Sequence, residues 1–265
     1  MVMKSYALQT NRYELKFLID ESMATSIRHF VRAHLEPDPY MPADSHRGYW
    51  VESIYLDSHN LDLCRQTEAG LRNRFKLRIR SYDEKDDSAA FLEVKYRRSD
   101  TVQKRRAMVA KASAINLLGG RALTTADLMD PTPDQQQALG LFCEKMDQVQ
   151  ASPNVYVNYI REAYVPRAGN SARVTFDREL TAIEYRPSTT KHGNTPHEDC
   201  SRVPAMGNGQ VVMELKFTDR FPFWMRELTH SFGLRRIPFP KYVKCVDAVS
   251  PLGLFSDDRR TVRVV

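Results

Sequence analysis

Four cations alternate with three apolar residues between positions 74 and 80, and this stretch constrains the fold more than any other part of the chain. The residues read R-F-K-L-R-I-R, so Phe75, Leu77 and Ile79 share one face of an extended segment. A period of two is typical of a β-strand with one buried face. Like charges about 7 Å apart along a strand repel one another, so four of them on one face are costly unless an anion lies among them.

The same alternation recurs elsewhere in the chain. The regular segments are residues 12–18 (RYELKFL), 91–97 (FLEVKYR) and 213–217 (MELKF). Less regular strands are predicted over residues 49–56, 102–109, 154–165 and 171–177. Together with residues 74–80 these segments predict about eight strands, which is a common number for a closed barrel.

Helices are predicted between the strands, over residues 21–35, 58–69, 133–149, 222–232 and 240–249. Asp20 is a typical N-cap for the first, and Gly233 is a typical C-terminal cap for the fourth. No internal repeat or linker divides the chain, so we expect one domain over residues 1–265. The predicted fold is α+β: a closed eight-stranded antiparallel barrel, or tunnel, with a charged lumen and with helices packed outside.

Charge and cysteine content narrow the class of protein. The chain has 39 Lys and Arg against 33 Asp and Glu, a net charge of +6, which predicts attraction to anions. No apolar run approaches the roughly 18 residues of a membrane-spanning helix, and the N-terminus lacks the apolar core of a signal peptide. The cysteines Cys64, Cys143, Cys200 and Cys245 are scattered, which predicts free thiols and a cytoplasmic location.

The charged strand faces have two interpretations. On an open sheet they would simply meet water, as exposed strand faces usually do. In a closed ring they would converge on a bound polyanion, for which arginine offers bidentate hydrogen bonds. Nucleic acid is not the expected partner, because Phe75, Phe91 and Tyr96 are predicted to lie on the apolar face, whereas nucleic-acid binders interleave aromatic and basic residues.

Three acidic residues lie among the cations. Glu14, Glu93 and Glu214 each precede a lysine by two positions and therefore share its strand face. One interpretation is charge balance through Glu–Lys pairs. The other is that one or more of them hold Mg²⁺ or Mn²⁺ against phosphate groups, because these cations prefer carboxylate oxygens.

The order of these short motifs resembles the VTC domain, the polyphosphate polymerase branch of the triphosphate tunnel metalloenzymes, a CYTH-like superfamily. The resemblance covers about residues 10–250. Its motifs are RYELKFLI near the N-terminus, SIYLD at 53–57, RFKLRIR at 74–80, FLEVKYRR at 91–98, YIREAY at 159–164, RVTFD at 173–177, MELKF at 213–217 and PFPKYVK at 238–244.

The resemblance implies transfer of the γ-phosphoryl group of ATP to the end of a polyphosphate chain, with release of ADP. It implies catalytic cations at Lys16, Arg78, Arg80, Lys95 and Arg161. The further phosphate-binding residues on this interpretation are Lys76, Lys104, Tyr159, Lys216, Lys241 and Lys244. Glu214 and Glu14 would ligate Mn²⁺ or Mg²⁺.

One departure from the wider superfamily bears on the reaction. Its hydrolytic branch begins with an ExExK signature, but here Arg12 replaces the first acid and leaves only Glu14 and Lys16. Loss of a carboxylate used to activate water favours the polymerase. Two alternatives stay open: a tunnel triphosphatase acting on inorganic or nucleoside triphosphate, and a non-catalytic polyphosphate-binding module. The chain lacks the SPX-like and membrane segments of eukaryotic VTC subunits, so a membrane partner would be a separate protein, and the oligomeric state is left open.

Overall fold

The predicted strands are found almost where the alternation places them. The computed structural model describes residues 12–42, 48–82, 88–99, 101–169, 171–185, 190–191, 195–196 and 201–250. The strands are β1 (Arg12–Asp20), β2 (Glu36–Pro37), β3 (Tyr49–Asp57), β4 (Asn73–Ser81), β5 (Ala89–Arg98), β6 (Thr101–Ala110), β7 (Ser152–Val165), β8 (Ala172–Glu184), β9 (Thr190–Lys191), β10 (Thr195–Pro196), β11 (Val203–Pro204) and β12 (Gln210–Thr218).

Eight of these strands are hydrogen-bonded in a continuous antiparallel ring. The order around the ring is β8-β12-β1-β6-β5-β4-β3-β7, and β7 pairs again with β8. The narrowest junction joins β1 to β6, where Arg12 pairs with Val102. The short strands β2 and β11 add to β7 and β8. The α+β class and the eight antiparallel strands are therefore confirmed.

The helices are α1 (Glu21–Arg32), α2 (Asp62–Glu68), α3 (Lys111–Leu118), α4 (Pro133–Gln148), α5 (Phe223–Ser231) and α6 (Lys241–Val249). Asp20 caps α1 as predicted, accepting a hydrogen bond from Met23 N at 2.7 Å. Helix α2 starts later than expected, because Asp57 accepts hydrogen bonds from Leu63 N and Cys64 N. Helix α3 was not predicted; it follows β6 without a capping side chain to mark its start.

The apolar strand faces are buried on the outside of the ring. Phe17, Phe176 and Leu215 pack with α1 and α5 in one cluster. Leu77 and Leu92 belong to a second cluster, which includes residues of α3 and α4. Burial of these side chains is the main source of stability in such a sheet. The opposite face of each strand, which we call the inner face, points toward the centre of the ring.

Helix α6 departs from the expectation that all helices pack outside. Its apolar residues Tyr242, Val243 and Val246 are buried with Val157 and Val212, which lie on the inner face. Tyr242 also donates a hydrogen bond to Asp57 Oδ2 at 2.7 Å. The inner face therefore has an apolar part, which α6 covers, and a charged part beside it.

Two further predictions concern the surroundings of the chain. Cys64, Cys143 and Cys245 are free, as predicted, and Cys200 lies outside the described residues. Among the helices of the described segments, none combines the length and the apolar character needed to cross a bilayer.

Candidate active site

The strand register brings nearly all the predicted site residues together on the inner face. Between β1 and β12, Lys16 lies opposite Glu214; between β4 and β5, Arg78 lies opposite Glu93. The nine cations of this cluster are Lys16, Lys76, Arg78, Arg80, Lys95, Lys104, Arg161, Lys216 and Lys241. Its four carboxylates are Glu14, Glu93, Asp177 and Glu214. We call these thirteen residues the inner charged cluster.

Glu214 is the most heavily paired carboxylate of the inner charged cluster. Its Oε1 atom lies 2.8 Å from Lys241 Nζ and 3.4 Å from Lys16 Nζ. Its Oε2 atom accepts from Lys216 and lies 3.5 Å from Arg161 Nη2. Burial alone would raise the pKa of Glu214, but these four cations hold it well below the usual value. Glu214 is therefore ionised at neutral pH.

Arg161 is fixed by a second buried carboxylate. Its Nε and Nη2 atoms donate to the two oxygens of Asp177, each at 2.7 Å, which is a bidentate pair. Lys241 Nζ lies 2.6 Å from the same carboxylate. The ring of Tyr159 lies under both cations, 5.2 Å from the Arg161 guanidinium carbon and 5.3 Å from Lys241 Nζ. Arg161 therefore has little freedom to move.

Gly48 supports this arrangement from the start of β3. Its φ angle is +102°, and a Cβ atom there would lie 2.1 Å from the carbonyl oxygen of Arg161. Both the backbone conformation and the close approach require glycine. The contact sets β3 against β7 at the level of Arg161.

Glu93 organises the cations of β4 and β6. It is 1% exposed and accepts from Arg78 Nε at 2.6 Å and from Lys104 Nζ at 3.1 Å. Arg80 Nε lies 3.9 Å from it. Burial opposes ionisation of Glu93, but these cations hold its pKa well below the usual value. The charge of Glu93 is therefore balanced by cations of neighbouring strands rather than by Lys95, two positions along its own strand.

Glu14 connects β1 to β5, which lies on the far side of β6 in the ring. Its carboxylate lies 3.0 Å from Lys95 Nζ of β5 and 3.3 Å from Lys16 Nζ of its own strand. Lys16 Nζ also donates to the carbonyl oxygen of Phe239 at 2.9 Å, just before α6. These contacts show that the charged face lies toward the centre of the ring rather than on an open sheet.

Positive charge remains in excess after these pairs are formed. Lys76 has no ion pair among the residues that the structure describes, and its pKa is held well below the usual value by burial and by Lys16, Lys95 and Arg74. Burial also lowers the pKa of Lys216 to about 7, although Glu214 opposes the shift. Buried cations without full compensation favour the binding of an anion.

Two predicted positions differ in the structure. Lys244 is exposed on α6, while the buried side of that helix carries Lys241 and Tyr242, so the structure does not bring Lys244 to the cluster. Phe91 lies on the inner face, not on the apolar face, because it is two residues from Glu93 and pairs across from Arg80. Phe75 and Tyr96 do lie outside, against the second apolar cluster.

Asp177, which holds Arg161 and Lys241, was not among the predicted site residues. A signal for it was present, because the alternation of residues 173–177 places Arg173, Thr175 and Asp177 on one strand face. Thr175 Oγ1 donates to Glu214 at 3.3 Å, and Arg173 pairs with Asp38 of the segment after β2.

The carboxylates of the inner charged cluster are the groups that could hold a divalent metal ion. No group of three or more His, Cys, Asp or Glu residues in the described segments is placed to hold a metal ion. Glu214 is nevertheless buried and ionised, and its charge acts to raise the pKa of Glu14, a second carboxylate of the cluster. Such a pair fits a cation that takes most of its ligands from phosphate oxygens and water, as Mg²⁺ does in phosphoryl-transfer sites.

The ring of eight antiparallel strands carries a surplus of cations on its inner face, an arrangement suited to an anionic ligand. The chain belongs to the VTC domain family, which matches residues 11–250. The family resemblance drawn from the motifs is confirmed, and it associates the chain with triphosphate and polyphosphate chemistry. A search of curated proteins found none that matches the chain.

The solved structures that are similar to this chain include three proteins of bacterial and archaeal origin. One is a Bacillus halodurans protein provisionally described as an adenylate cyclase, with 11% identity, coverage of 87% of this chain and 96% of that one, and a TM-score of 0.47. A Pyrococcus horikoshii OT3 protein has 13% identity, coverage of 88% and 96%, and a TM-score of 0.42. A Vibrio parahaemolyticus protein, also provisionally described as an adenylate cyclase, has 9% identity, coverage of 89% and 98%, and a TM-score of 0.44. Similarity at this level carries over no function.

Proposed function

We propose that this protein is a metal-dependent polyphosphate polymerase that transfers the γ-phosphoryl group of ATP to the end of a polyphosphate chain and releases ADP. The observation that carries the proposal is the inner charged cluster, in which nine cations outnumber four carboxylates. Family membership over residues 11–250 supports the same chemistry. The ring would then be a tunnel around the phosphate chain, formed by a single domain over residues 1–265.

The cations of the cluster suit phosphoryl transfer. Its transition state spreads negative charge over the equatorial oxygens, so positioning and electrostatic stabilisation supply most of the catalysis. Arg161, held by Asp177, offers a fixed guanidinium group. Arg78 and Arg80 beside Glu93, together with Lys16 and Lys95 beside Glu14, complete the proposed catalytic set. Lys76, Lys104, Tyr159, Lys216 and Lys241 would hold the remaining phosphates.

A bound phosphate chain would exchange partners with the internal carboxylates. In the inner charged cluster, each cation except Lys76 contacts a carboxylate. The phosphate oxygens of a ligand would have to replace some of these carboxylate oxygens. Arg78 and Arg80 share Glu93 with Lys104, which leaves part of their hydrogen-bonding capacity for phosphate. The attacking terminal phosphate is already ionised near pH 7 and needs no strong general base.

Glu214 is the proposed carboxylate ligand of Mn²⁺ or Mg²⁺, with Glu14 as a second ligand. When bound, the metal would neutralise charge on phosphate oxygens and help to orient them. Because Lys16, Lys216, Lys241 and Arg161 already surround Glu214, we expect the metal to bind together with phosphate rather than alone.

A cytoplasmic location stays a prediction from the cysteine pattern.

The test is incubation of purified protein with ATP and Mn²⁺ or Mg²⁺, comparing wild type with Glu214→Gln. The matched control is Glu162→Gln, because Glu162 is equally buried and ion-paired but lies under α1, where it contacts Arg28 and Arg178. Products are resolved on a gel stained for polyphosphate, and ADP and free phosphate are quantified.

A polyphosphate ladder with matching ADP in wild type and in Glu162→Gln, but not in Glu214→Gln, supports the proposal. Free phosphate without a ladder would identify a triphosphatase instead. Neither product, together with strong thermal stabilisation by added polyphosphate, would identify a non-catalytic binding module.

A further inference from the structure

Three aromatic rings form a row on the inner face at one end of the charged cluster. Tyr49 begins β3, Tyr82 follows β4, and Phe91 lies near the start of β5. The ring centroids of Tyr49 and Tyr82 are 5.9 Å apart, and those of Tyr82 and Phe91 are also 5.9 Å apart. Tyr82 is 44% exposed, so the row is accessible from solvent.

The aromatic row is continuous with the proposed phosphate-binding cations. Arg80 Nη1 lies 3.4 Å from the Tyr82 hydroxyl, and the guanidinium carbon of Arg80 lies 6.0 Å from the centroid of that ring. The guanidinium carbon of Arg106 lies 5.0 Å from the centroid of Phe91. A ligand whose phosphates contact Arg80 would therefore place its next group beside Tyr82 and Phe91.

The other end of the cluster has different chemistry. There the inner-face residues of β4 and β5 are Lys76 and Arg74 opposite Lys95 and Arg97, with no aromatic residue among these four positions. One end is thus suited to a planar group and the other to an extended anion. A nucleoside triphosphate carries both groups in one molecule, whereas a polyphosphate chain carries only the anion.

We propose that Tyr82 and Phe91, with Tyr49 beside them, form the binding platform for the nucleobase of the nucleoside triphosphate. This inference rests on the proposed function, because it assigns a site to the nucleobase of a substrate whose phosphates are bound by the cations. Nucleobases stack on aromatic side chains and on guanidinium planes with little preference among bases. The triphosphate would then extend from Arg80 toward Glu93 and Lys95, and the acceptor chain would approach from the end that carries Arg74 and Arg97.

The experiment compares two ligands without metal, by calorimetric titration in the presence of EDTA: a non-hydrolysable ATP analogue and inorganic triphosphate. The variants are Tyr82→Ala and Phe91→Ala. Tyr82→Phe keeps the ring and removes only the hydroxyl near Arg80. Tyr40→Ala is the control, because Tyr40 is 68% exposed and lies outside these contacts. Melting temperatures are measured for every variant.

We expect Tyr82→Ala and Phe91→Ala each to weaken binding of the ATP analogue about tenfold, a value within the range for loss of one stacking contact. Binding of inorganic triphosphate should change less than about twofold, and Tyr82→Phe should retain most of the affinity for the analogue. Should both alanine variants fold and bind the analogue as wild type does, or lose both ligands equally, the platform is refuted.

Failure of the proposed function looks different. A wild-type protein that binds neither triphosphate nor the analogue would overturn the phosphate site itself, and the platform with it. A wild-type protein that makes polyphosphate while its alanine variants keep full affinity for the analogue would overturn only the platform.

Discussion

Replacement of Lys76 by methionine is the sharpest test of whether the inner charged cluster exists to bind an anion. Lys76 lies on the inner face of β4 opposite Lys95 and has no ion pair among the described residues. At an effective dielectric constant of about 20, two like charges about 7 Å apart repel by about 2 kcal/mol. Burial and the neighbouring cations hold the Lys76 pKa well below its usual value, so a charged lysine at this position destabilises the free protein. Methionine has a similar length and no charge, so Lys76→Met should stabilise the free protein by about 1 kcal/mol, or about 2–4 °C in Tm.

The same substitution should weaken binding of inorganic triphosphate. A hydrogen bond to a charged group contributes about 2 kcal/mol, which corresponds to about 30-fold in affinity. Arg28→Met is the contrasting control, because Arg28 pairs with buried Glu162 outside the ring. It should lower Tm and leave triphosphate binding unchanged. Calorimetry and thermal melts measure both quantities, and a Lys76→Met protein that melts lower than wild type and binds triphosphate equally well would refute the reasoning.

Three further outcomes are expected. The pKa of Lys216 is about 7, and a bound anion should raise it. Triphosphate binding should therefore take up protons near pH 7 and weaken as pH rises from 7 to 9. Calorimetry in buffers of different ionisation enthalpy counts the protons taken up. Glu93→Gln should lower Tm at neutral pH, because the pKa of Glu93 is lower in the folded protein than in the unfolded chain. This difference in pKa stabilises the fold at pH values above the unfolded-chain pKa and is lost as pH falls through the folded-state pKa. The difference in Tm between Glu93→Gln and wild type should therefore shrink in melts at acid pH. Gly48→Ala should cost about 3 kcal/mol and weaken triphosphate binding, since the added Cβ meets the Arg161 carbonyl; normal stability and affinity would contradict the described contact.

The strands were predictable because their alternation is a local property of the sequence. Each strand has one apolar and one charged face, so the segment around Lys76 specifies its own conformation and its buried side. The same alternation places Phe91 on the face of Glu93 and Asp177 on the face of Arg173. The prediction nevertheless assigned Phe91 to the apolar face and did not include Asp177, so both residues could have been placed correctly from the sequence.

Other features depend on contacts between distant parts of the chain. Helix α6 packs its apolar side on the inner face, where Lys241 contacts Asp177 and Glu214, and no local pattern shows that partnership. Lys244 is only three positions further along, yet it lies on the exposed side of the helix. The pairing of Glu14 with Lys95 likewise requires the ring to close. Which charged residues meet depends on which strands are neighbours and on their register. The alternation fixes which face each residue occupies but still allows register shifts of two residues.

The spread of cations over several strands has a consequence for how long a growing chain would remain attached. A single phosphate can contact only a few of these side chains at once, whereas a longer chain can contact many of them together. After one contact has formed, each further contact is intramolecular, so affinity should rise steeply with chain length until the cluster is filled. A product that is held more tightly than a short primer is extended many times before it dissociates. If the protein elongates polyphosphate as proposed, the arrangement around Lys76, Lys95 and Arg78 would favour processive synthesis, with few long chains rather than many short ones.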